Sequence, residues 1–272
     1  MLSLALPFIG VLIGAVLGLT GAGGSILAVP LLILLLAVEP TTASGLALGV
    51  VAISSAYGAL CRIRYGEVLW LPVLVFGLSG ALLASIGRLL ASALPSAVLL
   101  GGLFLLSCTI AARMLRQSYQ HPERTRIVRA SHAVETSPEP LHCRLSSSGH
   151  LEFKLPCVAG LSIGGALTGL LSGLFGVGGG FLIVPFLNQV NGVAMNRAVA
   201  TSLVIIALVA GSGFATFLAT HTIDWPPLAL LTAGGIAGMT LGSALARKIA
   251  GPLLQRFFAV AIVAMAALVL LR

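Results

Sequence analysis

Apolar positions along this chain gather into ten stretches, at roughly 4–19, 25–38, 44–61, 68–87 and 96–112, then 155–172, 180–190, 199–219, 226–246 and 252–271. A polar loop at about 113–154 divides them into two sets of five. The second stretch of each set is short. Fourteen residues of helix reach about 21 Å, against a hydrocarbon core of about 30 Å. The segments 25–38 and 180–190 therefore predict half-helices, each forming a re-entrant hairpin with the stretch before it. Two full spans joined by a tight turn fit the same pattern. Both arrangements return the chain to the side it came from. The expected fold is all-α: a polytopic membrane protein in which each half has a glycine-interrupted hairpin followed by three spans.

Glycines punctuate the two hairpins in register. Gly14, Gly18, Gly21, Gly23, Gly24 and Pro30 recur 155 residues later as Gly169, Gly173, Gly176, Gly178, Gly179 and Pro185. The correspondence continues: Ala43-Ser44-Gly45-Leu46 matches Ala200-Thr201-Ser202-Leu203, Trp70 matches Trp225, Gly77 and Gly80 match Gly235 and Gly238, and Pro95 matches Pro252. This is an internal duplication, giving repeat 1 at 1–112, a linker at 113–154 and repeat 2 at 155–272. Glycine permits positive φ and close backbone approach. Irregular backbone at membrane depth survives only where protein or a water-filled cavity satisfies it. Matching interruptions in two halves point to a transporter's binding site; close packing through small residues is the plainer alternative.

Composition supports the membrane reading. Only 8% of residues are charged and the mean hydropathy is +1.11, against about 25% charged residues in soluble domains. The net charge of +8 is not a nucleic-acid signature. Seven of the fifteen Lys and Arg lie in the polar loop, and most others lie at span ends, as membrane orientation requires. The first is Arg62, so residues 4–19 read as permanent membrane structure and not a cleaved signal. Cys61, Cys108, Cys143 and Cys157 show no metal-ligand spacing and read as small apolar residues.

Charge also tests topology. With the halves inverted, Arg62, Arg64, Arg197, Arg247, Lys248 and Arg256 share a side with the central loop, and only Arg88 and Arg272 fall opposite. With the halves parallel, only Arg62, Arg64 and Arg272 join the loop. The basic side is cytoplasmic, so two inverted repeats in the plasma membrane are expected, with the loop inside and both termini outside. The loop itself carries His121, His132, His142 and His150 without a compact ligand pattern and reads as a solvated linker.

The doubled G-x-x-G-x-G-G motif resembles the TauE/SafE sulfite-exporter family of permeases. A proline follows six positions beyond each double glycine, and Ala200–Leu203 supplies the Ala-Thr-Ser-Leu segment. The similarity covers nearly the whole chain outside the central loop. It implies seven or eight spans and the transport of small anions, often sulfur-containing, such as sulfite, sulfoacetate or sulfonates.

Away from their ends the apolar stretches hold almost no cationic side chain. Backbone amides and helix N-termini are then the expected anion ligands. Gly21, Gly23, Gly24 and Ser25 form one candidate cradle, and Gly176, Gly178, Gly179 and Gly180 the other. Ser44, Thr201 and Ser202 are candidate hydroxyl ligands, with interhelical hydrogen bonding as the alternative. Thr20 lies beside them, and Asn188 and Asn196 read as helix caps. His221 and Asp224 form the candidate proton relay; Arg62 and Arg64 read as orientation signals and Trp70 and Trp225 as boundary anchors. The partners implied are a small anion, the lipid bilayer and a coupling proton or cation, with oligomerisation open. No cofactor, metal site or nucleic-acid partner is expected. Two other classes compete: an intramembrane enzyme using His221 and Asp224, and a scaffold acting through the central loop. An enzyme needs clustered catalytic groups, and the pair at 221–224 has no duplicate in the first half.

Overall fold

The structure is a computed structural model that describes residues 2–21, 25–36, 38–120, 155–180, 182–183, 186–187, 195–249 and 252–270. The central loop from 121, Gly23, Gly24, Pro185 and Asn188 lie outside the described residues. The described chain is helical: α1 (Leu2–Thr20), α2 (Ser25–Leu36), α3 (Pro40–Ile63), α4 (Trp70–Ala93), α5 (Ser96–Gln120), α6 (Leu155–Phe175), α7 (Met195–Thr220), α8 (Trp225–Ile249) and α9 (Pro252–Leu270). Gly180, 182–183 and 186–187 are also helical. Six of these helices are long and apolar enough to cross a membrane: Pro40–Ile63, Trp70–Ala93, Ser96–Arg116, Val158–Phe175, Arg197–Thr220 and Trp225–Leu245. The chain is a multi-pass membrane protein.

Local signals set the helix ends. Pro40 and Pro252 occupy first-turn positions, where the missing N–H costs nothing. α2 holds only 12 residues, or about 18 Å, too short to cross. α5 continues to Gln120, past the linker boundary expected at 112. On α4, Leu74, Leu78, Leu82, Ile86 and Leu89 form an exposed stripe at helical spacing, the face left for lipid. The core lies around α2, α3 and α7, with Leu32, Leu48, Val51, Phe76, Ile205 and Val209 buried.

Glycines bring backbones together at two interfaces. A Cβ on Gly14 would collide with the Gly235 backbone, and one on Gly169 with that of Gly80. With no hydrophobic drive between helices in lipid, such close approach supplies the packing. The two contacts interconvert when each residue is moved by 155 positions. Gly80 therefore corresponds to Gly235, and the pairing of Gly80 with Gly238 expected from sequence is corrected by one helical turn.

The order of contacts gives helix directions. Gly10, Gly14 and Gly18 meet Leu231, Gly235 and Met239 in turn, so α1 and α8 run the same way. Gly165, Gly169 and Gly173 meet Phe76, Gly80 and Ala84, so α4 and α6 also run together. α3 follows α8, with Ser54 at Gly235 and Gly58 at Met239. α3 opposes α7, with Gly45 at Phe217 and Gly58 at Leu203. α4 follows α7, with Leu69 at Thr201, Gly77 at Leu208 and Ala81 at Ser212, so α1, α3 and α8 point one way, and α4, α6 and α7 the other.

Candidate substrate site

Gly21 and Gly176 end α1 and α6 in the left-handed region, at φ 68° and 71°. The Gly21 amide donates to the Leu17 carbonyl and the Gly176 amide to Ser172, both at 2.8 Å. This is a left-handed helix stop, and a side chain there costs about 1–2 kcal/mol. Each stop leans on the opposite half. Gly176 rests against Ser44 near the start of α3, and Gly21 against Val199 near the start of α7.

From Gly176 the backbone stays buried to Gly180. Gly178 reaches Val51, halfway along α3, and Ser25, the first residue of α2. A Cβ at Gly178 would stand 3.2 Å from Ser25 Cβ and 3.5 Å from its Oγ. Gly179 faces Thr168 and Ser172 on α6. The second glycine run thus touches the start of the first short helix inside the bundle.

Hydroxyls flank this meeting point. Ser25 and Ser172 are buried, and among the described residues their Oγ atoms have no hydrogen-bond partner; Ser54 and Ser55 on α3 and Ser107 on α5 share that condition. An unpaired buried hydroxyl costs about 1–3 kcal/mol, which packing alone gives no reason to accept. The other candidates are engaged. Ser202 Oγ donates towards the Val199 carbonyl at 2.9 Å and the Gly21 carbonyl at 3.2 Å, tying the first turn to α7. Thr201 Oγ1 accepts from the Leu69 amide at 3.0 Å, capping the start of α4. Thr20 donates to Val16 within its own helix.

Arg88 is the residue sequence reasoning set aside. It reads as a span-end charge, yet α4 runs on to Ala93 and Arg88 is only 1% exposed. Its Nη1 donates to Ser44 Oγ at 2.6 Å and its Nη2 to the Thr41 carbonyl at 2.8 Å. The guanidinium carbon stands 4.5 Å from the centre of the Phe217 ring. A cation in a span costs about 2.5–3.5 kcal/mol on insertion scales. The span-end placement of Arg88 is therefore corrected: its guanidinium is buried among α3, α4 and α7. The sequence signal was available: Arg88 follows Gly87 on the helix face that carries Gly77, Gly80 and Ala84. A small apolar pocket lined by Val29, Ile33, Leu99, Leu103 and Phe175 abuts Ser44.

His221 stacks on Phe217 at 4.6 Å, and its Nδ1 lies 2.8 Å from Thr220 Oγ1. Asp224 is exposed, and the His221 contact is with Thr220, not Asp224. Trp70 and Trp225 are both exposed at helix starts.

The family model for sulfite exporter TauE/SafE matches residues 6–269. A "probable membrane transporter protein" of Xylella fastidiosa is 31% identical over 269 residues, covering 97% of this chain and 93% of the relative. The Bacillus subtilis "probable membrane transporter protein YunE" is 27% identical over 258 residues, covering 89% and 88%. That organism's "probable membrane transporter protein YdhB" is 27% identical over 237 residues, covering 85% of each. No solved structure matches the chain.

Proposed function

The chain belongs to the TauE/SafE sulfite exporter family of membrane transporters, and from that premise we propose that it moves small anions, sulfur-containing ones such as sulfite or sulfonates among them, by alternating access. Two inverted repeats rock against each other, and the substrate sits between their glycine turns. The observation that carries this reading is the meeting of Gly178 with Ser25. Two glycine-broken segments, one from each half, converge on one point beside unpartnered hydroxyls. Amides of the turns and the N-terminus of α2 supply positive potential there.

Helix directions support inversion. α1 opposes its counterpart α6, α3 opposes α7, and α4 opposes α8. The short α2 supports a re-entrant hairpin. Arg62 and Arg64 at the end of α3 favour placing that end and the central loop in the cytoplasm, with both termini outside. His221 and Asp224 would then lie at the outer face as groups for a coupling proton.

A flux assay in proteoliposomes tests this. Sulfite, thiosulfate, a small sulfonate and a carboxylate are supplied separately, with and without a pH gradient. Saturable uptake of at least one anion above empty liposomes is expected. No anion flux under any condition overturns the reading.

A further inference from the structure

We infer that Arg88, with Ser44, forms a fixed cationic station for the transported anion, present in one half of the protein only. The inference rests on the anion-transport reading and adds the charged ligand that reading lacks. Arg88 is 1% exposed, and among the described residues no carboxylate pairs with it, the ion pair there being Arg62 with Glu67. A buried charge without a partner is expensive, and intramembrane ionisable groups are retained for function. Ser44 and the Thr41 carbonyl accept two of its N–H donors. Both are neutral, and the Phe217 ring face adds only a cation–π contact, so no formal negative charge among the described residues balances it. Its Nε has no hydrogen-bond partner among the described residues. A guanidinium offers five donors in a planar fork that fits an oxyanion head.

The station adjoins the glycine turn. Gly176 rests on Ser44, whose Oγ accepts from Arg88, and Gly173 packs against the Arg88 backbone nitrogen. In the other half Gly18 packs against the Ser243 nitrogen. Ser243 stands where Arg88 stands, and its Oγ donates within its own helix to Thr240. The repeat thus carries its charge once. The ligand class is an oxyanion head group, sulfonate, sulfite or carboxylate, reached from the side where α4 ends.

The test compares wild type with Arg88→Met and Arg88→Lys, purified in detergent and reconstituted. Sulfite, methanesulfonate and acetate are the probes, at constant ionic strength with chloride as the background anion. Two readouts are taken: anion-dependent thermal stabilisation and proteoliposome flux. If Arg88 only clamps α4 to α3, Arg88→Met lowers the melting temperature without anion but leaves the anion-dependent increment unchanged. The station predicts that Arg88→Met folds, loses anion-dependent stabilisation and loses flux. Arg88→Lys should bind at least about thirtyfold more weakly, since the charge remains but the fork is gone. Unchanged anion response in Arg88→Met overturns the inference while wild-type flux leaves the transport reading standing. If Arg88→Met does not fold, Arg88→Lys decides: wild-type affinity in that variant overturns the station, and weakened affinity supports it. A wild type that neither moves nor responds to any probe ends both.

Discussion

Gly178 lies against Ser25: a side chain on the glycine would sit 3.2 Å from the serine's Cβ and 2.8 Å from Val51 Cγ1. The two residues come from opposite halves of the chain, 153 positions apart. Gly178 also holds φ at 69°, where a side chain is strained by about 1–2 kcal/mol. Replacement by valine therefore strikes the meeting point twice. Gly178→Val should insert into the membrane at wild-type level and lose flux of the transported anion. Wild-type flux in that variant, measured in proteoliposomes of matched protein content, would remove the glycine turn from the site.

Ser25 offers a complementary measurement. Its Oγ is buried without a partner among the described residues, so Ser25→Ala gives up no hydrogen bond the structure describes. Deleting an unsatisfied hydroxyl should leave the melting temperature equal or higher. Losing a hydrogen bond to a charged ligand costs about 1.5–3 kcal/mol, so the apparent KM should rise by about tenfold or more. A KM unchanged with a lower melting temperature would assign Ser25 to packing.

The helix interfaces give a stability prediction with an internal control. Gly14 and Gly169 face backbone directly, whereas a Cβ at Gly211 meets nothing within 4 Å. Gly14→Val or Gly169→Val should force α1 from α8 or α4 from α6 and sharply lower the folded yield. Gly211→Ala should be neutral. Size-exclusion profiles and thermal melts of the purified proteins check both, and equal behaviour would mean these helices can separate without penalty.

These residues also show what the sequence could reveal. Gly21 and Gly176 were legible because a helix stop at positive φ all but demands glycine, and the demand is made twice. The membrane class was legible because hydropathy is a property of composition. The correspondence of Gly80 with Gly235 was blurred: small residues recur every few positions on α8, so Gly235 and Gly238 compete, and the matched contacts of Gly14 with Gly235 and Gly169 with Gly80 decide for Gly235. Arg88 could be read from the small-residue face of α4 that it shares with Gly77, Gly80 and Ala84, but not from hydropathy. Hydropathy ends a span at the first charge and has no term for the direction in which that charge points. Thr201 and Ser44 were both visible as hydroxyls, yet one caps α4 and the other holds a cation, a difference set by neighbours far away in sequence.

The central loop separates a transporter from a scaffold. Exchanging residues 121–154 for a Gly/Ser segment of equal length keeps the two halves tethered by a flexible chain. Flux should remain near wild type, because every residue assigned to the site lies outside that segment. Loss of flux with correct membrane insertion would give the loop a direct part in function.

Topology closes on one labelling experiment. Tyr65 and Thr222 are both exposed, just beyond the ends of α3 and α7. If the halves are inverted these ends open on opposite faces; if they are parallel, on the same face. Native cysteines, including exposed Cys61, are first replaced by serine or alanine. Tyr65→Cys and Thr222→Cys are then treated separately in intact cells with a membrane-impermeant maleimide. Thr222→Cys should be blocked from outside. Tyr65→Cys should react only after permeabilisation, because Arg62 and Arg64 beside it mark the cytoplasmic face. Equal protection or equal labelling of the two would contradict inversion, and with it the arrangement that lets two glycine turns approach one substrate from opposite sides of the membrane.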